Sequence, residues 1–143
     1  MSVQENVVIA HKLVNEGFWG GNLSVVDELI DPEFVNLVSI NTGEAVDNNG
    51  IEAFKQEIIA FHNAVPDLTG AIDETLAEGD KVMLRLHGSG THSGNLCGVP
   101  PTGKYVSNVA SITIFKFKNG KIIERWNLND RLSLLPQIGA IPS

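Results

Sequence analysis

Asp130 is the first candidate for acid–base chemistry in this sequence. It ends a predicted strand in which apolar residues alternate with polar ones. A carboxylate held among apolar side chains is a stronger base, because burial disfavours its charged form. Aspartate is also a common helix N-cap, so Asp130 could instead cap the segment that follows it. The sequence therefore predicts Asp130 as a general base, with a structural cap as the alternative.

His92 is the second candidate. It lies at the end of a predicted strand in which Val82, Leu84 and Leu86 define the inward positions, and the same parity points His92 inward. A histidine there could hydrogen-bond to the base or protonate a developing alkoxide. A single histidine of this kind can also be purely structural. We predict His92 as the acid or hydrogen-bond donor that assists Asp130.

A hairpin must position Asp130. Asn119-Gly120 is typical of a two-residue hairpin turn, because both residues tolerate the positive φ that the turn requires. Such a turn sets Lys116 opposite Ile123 and Ile114 opposite Arg125. Side chains alternate along a strand, so the predicted inner face collects Thr113, Phe115, Phe117, Ile122, Glu124, Trp126, Leu128 and Asp130. We predict that the substrate is contacted by Trp126, Phe115 and Leu128 from this face, and by Asn36 from an earlier strand.

The composition excludes several classes of function. The chain has 143 residues, 43% of them hydrophobic, which predicts one domain over residues 1–143 with a sizeable core. Its net charge of −7 argues against a nucleic-acid partner. No apolar run is long enough to cross a membrane, and the N-terminus lacks a secretory signal pattern. One cysteine leaves no intrachain disulfide, so we expect a cytoplasmic protein. No spacing typical of a metal site or a phosphate-binding loop is found.

The order of elements predicts an α+β fold. Helical spacing covers Val3–Phe18, Ser24–Ile30 and Gly50–Asn63; strands are predicted at Glu33–Ser39, Leu68–Ala77, Lys81–His92, Lys104–Lys118 and Lys121–Asp130. Loops are predicted over Asn41–Asn49 and over Ser93–Gly103, and the second is expected to gate the pocket. Helices that precede a long antiparallel meander pack on one face of a curved sheet. The other face would expose Ile112, Ile114 and Ile123, which predicts a homodimer through that face.

Three stretches of the sequence resemble the SnoaL-like polyketide cyclase family. The first is Gly90-Thr91-His92-Ser93-Gly94 together with Gly98-Val99-Pro100-Pro101-Thr102-Gly103, and the second runs from Phe115 through Ile122. The third is Glu124-Arg125-Trp126-Asn127-Leu128-Asn129-Asp130 together with Leu134 through Gly139. The resemblance implies a cone-shaped barrel of curved, mostly antiparallel sheet, with a deep pocket and a nuclear-transport-factor-2-like fold. It also implies a dimer without metal or cofactor. In such cyclases the aspartate that matches Asp130 removes a proton α to a carbonyl, and the carbanion closes a ring by an aldol reaction.

Two functions from different classes remain open at this stage. One is a cofactor-free cyclase or isomerase that acts on a small apolar or aromatic molecule, with Asp130 as base and His92 as donor. The other is a non-catalytic protein that binds such a molecule, since a fold alone does not fix function. A free Asp130 oxygen that faces a cavity would favour catalysis, whereas an Asp130 paired with a fixed cation would favour binding.

Overall fold

The computed structural model describes residues 2–36 and 50–141. The helical elements are α1 (Val3–Lys12), a π-helix (Leu13–Trp19), α2 (Leu23–Leu29), α3 (Ile51–Ala64) and α4 (Arg131–Gln137). The strands are β1 (Ile30–Asn36), β2 (Thr69–Glu78), β3 (Lys81–Thr91), β4 (Tyr105–Lys118) and β5 (Lys121–Asn129).

One five-stranded sheet carries the fold, in the order β1-β5-β4-β3-β2. Every neighbouring pair is antiparallel except β1 and β5, which are parallel. The sheet curls around the N-terminal helices, but β1 and β2 remain separate edges, so it does not close into a complete barrel. The predicted α+β class with a mostly antiparallel sheet is confirmed, and the cone is open along one side.

The sequence contains the signals that begin the first two helices. The Ser2 hydroxyl accepts a hydrogen bond from the Glu5 backbone N–H at 3.1 Å, and the Glu5 side chain returns to Ser2 as a capping box. The Asn22 side chain caps α2 through the Ser24 N–H. The predicted helix Val3–Phe18 is continuous, but its last part widens into the π-helix. Such widened turns often occur at functional sites.

The first strand starts earlier than predicted, at Ile30 instead of Glu33. Pro32 lies inside it, which is tolerated because β1 is an edge strand and needs no N–H bond to a second neighbour. Residues 37–39 of the predicted strand, and the predicted loop Asn41–Asn49, lie outside the described residues.

A β-bulge changes the predicted hairpin face. Phe117 pairs with Ile122, but Lys116 then pairs with Glu124, so Ile123 is an extra residue on β5. One extra residue inverts the facing of everything that follows it in the strand. The predicted inward orientation of Glu124, Trp126 and Leu128 is therefore wrong. The inward positions after the bulge are Arg125 and Asn127, which are 4% and 3% exposed; the prediction held for Thr113, Phe115, Phe117 and Ile122.

Two apolar clusters form the core. The larger one packs α1, the π-helix, α2 and α3 against the concave face of the sheet, around residues such as Leu13, Phe54 and Phe115. The smaller one joins the end of α3 to α4 and to the loop after β3, through residues such as Val65, Leu96, Leu134 and Ile138. A side chain buried fully in either cluster contributes about 1.5–3 kcal/mol. The cavity described below has wall residues from both clusters.

Candidate functional site

A largely apolar cavity lies inside the curl of the sheet. Its walls come from β3, β4 and β5 on one side and from the π-helix and α3 on the other. Residues of the loop after β3 and of α4 bound one end. Most wall residues are apolar, namely Leu13, Val14, Phe18, Trp19, Phe54, Phe61, Val65, Leu68, Leu86, Leu96, Val106, Val109, Phe115 and Leu134. A concave apolar site with a few polar groups is the usual form of a small-molecule pocket.

Trp19 at the end of the π-helix forms part of the wall and packs over two glycines. Gly70 and Gly88 are paired across β2 and β3. A Cβ on Gly70 would lie 2.5 Å from the Trp19 ring, and a Cβ on Gly88 would lie 3.2 Å from it. The indole therefore fits a slot that only glycine leaves open. Phe18 meets the Trp19 ring edge-on, with 5.0 Å between centroids.

Arg125 brings a charge to this apolar cavity. Its Nη1 lies 2.8 Å from the Glu57 carboxylate and donates a hydrogen bond to Asn36 Oδ1 at 3.2 Å. Its guanidinium carbon sits 4.7 Å above the centre of the Phe54 ring. The Arg125 and Glu57 side chains are only 5% and 3% exposed, so each charge is neutralised by the other inside the protein.

Polar side chains continue along the same face of the hairpin. The Thr113 hydroxyl donates to Asn127 Oδ1 across β4 and β5, and Asn127 Nδ2 donates to Asn129 Oδ1 at 3.2 Å. Ser111 pairs with Asn129 one step further. Together with Arg125, these residues form a polar row on an otherwise apolar wall. The row can hold the oxygen atoms of a bound ligand, because amide, hydroxyl and guanidinium groups all donate hydrogen bonds.

Asp130 begins α4 and acts as its N-cap. Its Oδ1 accepts the Ser133 backbone N–H at 3.0 Å, and its own N–H donates to the Ala110 carbonyl at 2.9 Å. The residue is exposed, so the apolar surroundings expected for it are not found. Its neighbours Asn129 and Arg131 both line the cavity. Asp130 itself is not a wall residue of the cavity, and it makes the cap contact that was the alternative interpretation.

His92 is fully buried but does not form part of the cavity wall. Thr102 donates its backbone N–H to Nδ1 at 3.3 Å, and the Thr102 hydroxyl lies 2.9 Å from the same nitrogen. Because Nδ1 accepts, Nε2 carries the proton and donates to the Val99 carbonyl at 3.2 Å. The two ring nitrogens therefore bond to Thr102 and Val99, two residues of the loop after β3.

The other predicted contact residues divide between the two faces of the sheet. Phe115 lines the cavity and Asn36 supports Arg125 from β1. Trp126 and Leu128 lie on the outer face, where Leu128 is 54% exposed. Sequence reasoning placed Thr113 on the inner face without giving it a role, and it missed Trp19, Arg125 and Asn127. For Arg125 and Asn127 the reason is the bulge at Ile123, which alternation along β5 does not reveal.

Two further properties concern metals and membranes. No group of three or more His, Cys, Asp or Glu side chains in the described parts of the chain is placed to hold a metal ion. Among the described helices, none combines the length and apolarity that crossing a bilayer requires.

Comparisons with known proteins agree with this architecture. A protein from Jannaschia sp. CCS1, provisionally assigned as a SnoaL-like polyketide cyclase, is 30% identical with a TM-score of 0.83, over 97% of this chain and 94% of that one. TsrD from Streptomyces laurentii is 25% identical with a TM-score of 0.85, over 99% of both chains. AclR from Streptomyces galilaeus, provisionally assigned as a hydroxylase, is 26% identical with a TM-score of 0.81, over 99% of this chain and 85% of that one.

No curated protein matches the chain. The sequence model of the SnoaL-like polyketide cyclases matches residues 9–138, which include every element of the sheet and the whole cavity wall. The chain belongs to the SnoaL-like polyketide cyclase family.

Proposed function

We propose that this protein is a cofactor-free enzyme of the cyclase or isomerase type, which acts on a small apolar or aromatic molecule bound in the cavity. Asp130 is the proposed base, and the polar row that begins at Arg125 is the proposed binding site for the carbonyl oxygen. Family membership supports the class of reaction. The observation that carries the proposal is the buried guanidinium of Arg125, which begins a polar row in the wall of a largely apolar cavity.

The chemistry begins with removal of a proton. The Asp130 carboxylate takes a proton from the carbon α to a carbonyl, and the electron pair of that C–H bond moves to the carbonyl oxygen as an enolate. The enolate carbon then attacks a second carbonyl carbon of the same molecule, which forms a C–C bond and leaves an alkoxide. The alkoxide recovers the proton from Asp130, so the base is regenerated and no cofactor is consumed.

Stabilisation of the enolate is the task assigned to the polar row. Preorganised donors that point at a developing negative charge are among the largest contributions to catalysis, especially where water is excluded. Nη1 of Arg125 already serves Glu57 and Asn36. A guanidinium carries five N–H donors on three nitrogens, so donor capacity exceeds those two contacts. Asn127 lies one inward position further along β5.

The proposed base must turn to reach a ligand. In the resting structure one Asp130 oxygen accepts the Ser133 N–H at the start of α4. Loss of an N-cap contact costs about 1 kcal/mol, which is small compared with the barrier that catalysis removes. The neighbours Asn129 and Arg131 line the cavity, and the proposal requires that rotation of the Asp130 side chain carry its carboxylate to the bound ligand.

The test is exchange of an α proton in deuterated water. A fused-ring ketone such as β-tetralone is incubated with the protein, and deuterium incorporation is followed by mass spectrometry. Asp130→Asn keeps the size and the capping ability of the side chain, so the fold is retained, but the rate is expected to fall by about 10²–10⁴. Asp80→Asn is the matched control, because Asp80 is an exposed aspartate in the turn between β2 and β3. Equal exchange by Asp130→Asn and the parent protein contradicts the proposal.

A non-catalytic binding protein is the second candidate. The specific observation in its favour is the exposure of Asp130 together with its cap contact to Ser133, which gives the carboxylate a structural task. In that case aromatic ketones bind in the cavity, but neither the parent protein nor Asp130→Asn raises exchange above the rate in buffer.

A further inference from the structure

Two guanidinium groups line the cavity, and their surroundings differ. Arg125 is paired with Glu57, bonded to Asn36 and stacked on Phe54. Arg131, the first residue of α4, forms no ion pair with any carboxylate in the described parts of the chain. Of the two guanidinium groups in the cavity wall, Arg131 is therefore the one whose positive charge no described carboxylate neutralises.

One side-chain nitrogen of Arg131, unlike the paired Nη1 of Arg125, lacks a hydrogen-bond partner within the described part of the chain. Its Nη2 is buried and has no hydrogen-bond acceptor among the described residues. Almost all buried donors in folded proteins are paired, and a charged donor left without an acceptor is especially unfavourable. The adjacent carboxylate of Asp130 forms no ion pair with Arg131, and its Oδ1 accepts from Ser133. An acceptor from a bound molecule would complete the site.

The position of Arg131 defines which part of a ligand it meets. Wall residues from α4 and from the loop after β3, including Leu134 and Leu96, surround this end of the cavity. Phe18 and Trp19 contribute apolar wall from the π-helix. A ligand that fills the cavity therefore places its apolar body against the aromatic rings and a polar group at Arg131.

We propose that Arg131 binds a carboxylate of the ligand, so the cavity selects aromatic or apolar acids over their neutral esters. The planar guanidinium matches a carboxylate with two parallel N–H···O bonds, which makes it a better partner for this group than for a single neutral oxygen. The inference rests on the proposed function only in taking this cavity as the substrate site. Arg131 is assigned here to binding and not to proton transfer.

The experiment compares naphthoic acid with methyl naphthoate by titration calorimetry on the full chain. The pair differs in charge but shares one aromatic body. The parent protein is expected to bind the acid about tenfold more tightly than the ester, or better, and Arg131→Gln is expected to lose that preference while ester binding is retained. Arg131→Lys keeps the charge but not the planar fork, and should keep only part of the preference.

Arg85→Gln is the matched control. Arg85 lies on the exposed surface of β3 beside Asp73 and Glu74, so its substitution removes the same charge at a distance from the cavity. This variant should keep the full acid preference. Equal affinity for acid and ester in the parent protein, absence of acid binding, or an unchanged preference in Arg131→Gln each overturns the proposal. Failure of the exchange assay with retained acid preference would contradict the catalytic proposal alone.

Discussion

Nη1 of Arg125 lies 2.8 Å from the carboxylate of Glu57, and the two side chains are 5% and 3% exposed. The pair joins β5 to α3 across the fold, and Phe54 covers one face of the guanidinium. Because the two charges neutralise each other in a place that water does not reach, neither can be removed alone without leaving the other unpaired.

The first prediction concerns this pair. Glu57→Gln leaves the Arg125 charge buried without a carboxylate, so the free energy of unfolding should fall by about 3–5 kcal/mol. The double variant Glu57→Leu with Arg125→Met replaces both charges by apolar groups and should lose much less. Urea unfolding of Glu57→Leu, of Arg125→Met and of the double variant gives the coupling energy. A Glu57→Gln protein as stable as the parent would contradict a buried, mutually dependent pair.

The second prediction concerns the slot that holds Trp19. A Cβ on Gly88 would lie 3.2 Å and 3.4 Å from two atoms of the indole, and the Thr69 carbonyl oxygen is 3.6 Å away. Gly88→Ala should therefore push Trp19 toward the cavity and lower both stability and ligand affinity. Adding Trp19→Phe should restore stability, since the smaller ring leaves room for the methyl group. Gly79→Ala is not a suitable control, because Gly79 has a positive φ that an alanine adopts only with strain. Ser107→Ala is suitable, because Ser107 lies on an exposed part of β4.

The stability of these variants is measured by thermal unfolding, and their ligand affinity by calorimetry with β-tetralone. The expected pattern is a lower melting temperature and weaker binding for Gly88→Ala, with the melting temperature recovered in Gly88→Ala with Trp19→Phe. If the second substitution lowers stability further, the contact between Gly88 and Trp19 does not limit the packing.

Local signals in the sequence were sufficient for the class of fold. Asn119 and Gly120 have φ values of 51° and 76°, as a hairpin turn of this type requires. Within the described residues, the predicted helices and strands are found with small shifts in their ends. The site was harder to predict. The bulge at Ile123 depends on pairing with β4, and the slot for Trp19 depends on Gly70 and Gly88 being neighbours across two strands. Neither relationship is local in sequence.

The third prediction concerns His92. Its ring nitrogens bond to Thr102 and Val99 within one loop, which gives it a task without any ligand. His92→Leu removes the partner of the Thr102 N–H and of the Val99 carbonyl, both in part-buried hydrogen bonds, and should lower the free energy of unfolding by about 1–3 kcal/mol. His92→Gln can replace part of the bonding and should cost less. Hydrogen exchange of the Leu96 and Val99 amides, which bond to each other's carbonyls, is expected to speed up in both variants.

Proton exchange into β-tetralone separates this structural role from the acid–base role first predicted for His92. If the ring only holds the loop, His92→Gln should retain most of the exchange rate at a temperature where it is folded. A fall of about 10² or more with the loop still protected would instead assign a proton-transfer role to His92.

The fourth prediction is a dependence on pH. The Asp67 carboxylate accepts the Thr91 backbone N–H and the Thr91 hydroxyl, both at 2.7 Å, and these bonds lower its pKa below the ordinary value. A carboxyl whose pKa is lower in the folded state stabilises the fold above its unfolded-state pKa. That contribution is lost as the pH falls through the lowered folded-state pKa.

Asp67→Asn should therefore be less stable than the parent protein at neutral pH, and the difference in melting temperature should shrink in acid, below the usual pKa of an aspartate. Asp31→Asn is a poor control, since the Asp31 carboxylate also accepts a backbone N–H. Asp80→Asn is the better one. A difference between parent and Asp67→Asn that stays constant from neutral pH into strong acid would show that the Thr91 contacts do not stabilise the ionised carboxylate.

The last prediction concerns self-association through the outer face of the sheet. Ile112 pairs with Leu128 and Ile114 pairs with Trp126 across β4 and β5, so four large apolar side chains lie together on that face. Ile112 and Leu128 are 36% and 54% exposed. An exposed apolar patch of this kind marks an interaction surface, and we propose that a second copy of the chain covers it.

Light scattering at micromolar concentration should give twice the mass of the single chain. Leu128→Glu should give the single-chain mass, because a buried carboxylate without a partner disfavours association. Val8→Glu is the matched control, since Val8 is 66% exposed on α1, and it should remain dimeric. A single-chain mass for the parent protein would contradict the proposed interface, and loss of the dimer in Val8→Glu instead of Leu128→Glu would move the interface to α1.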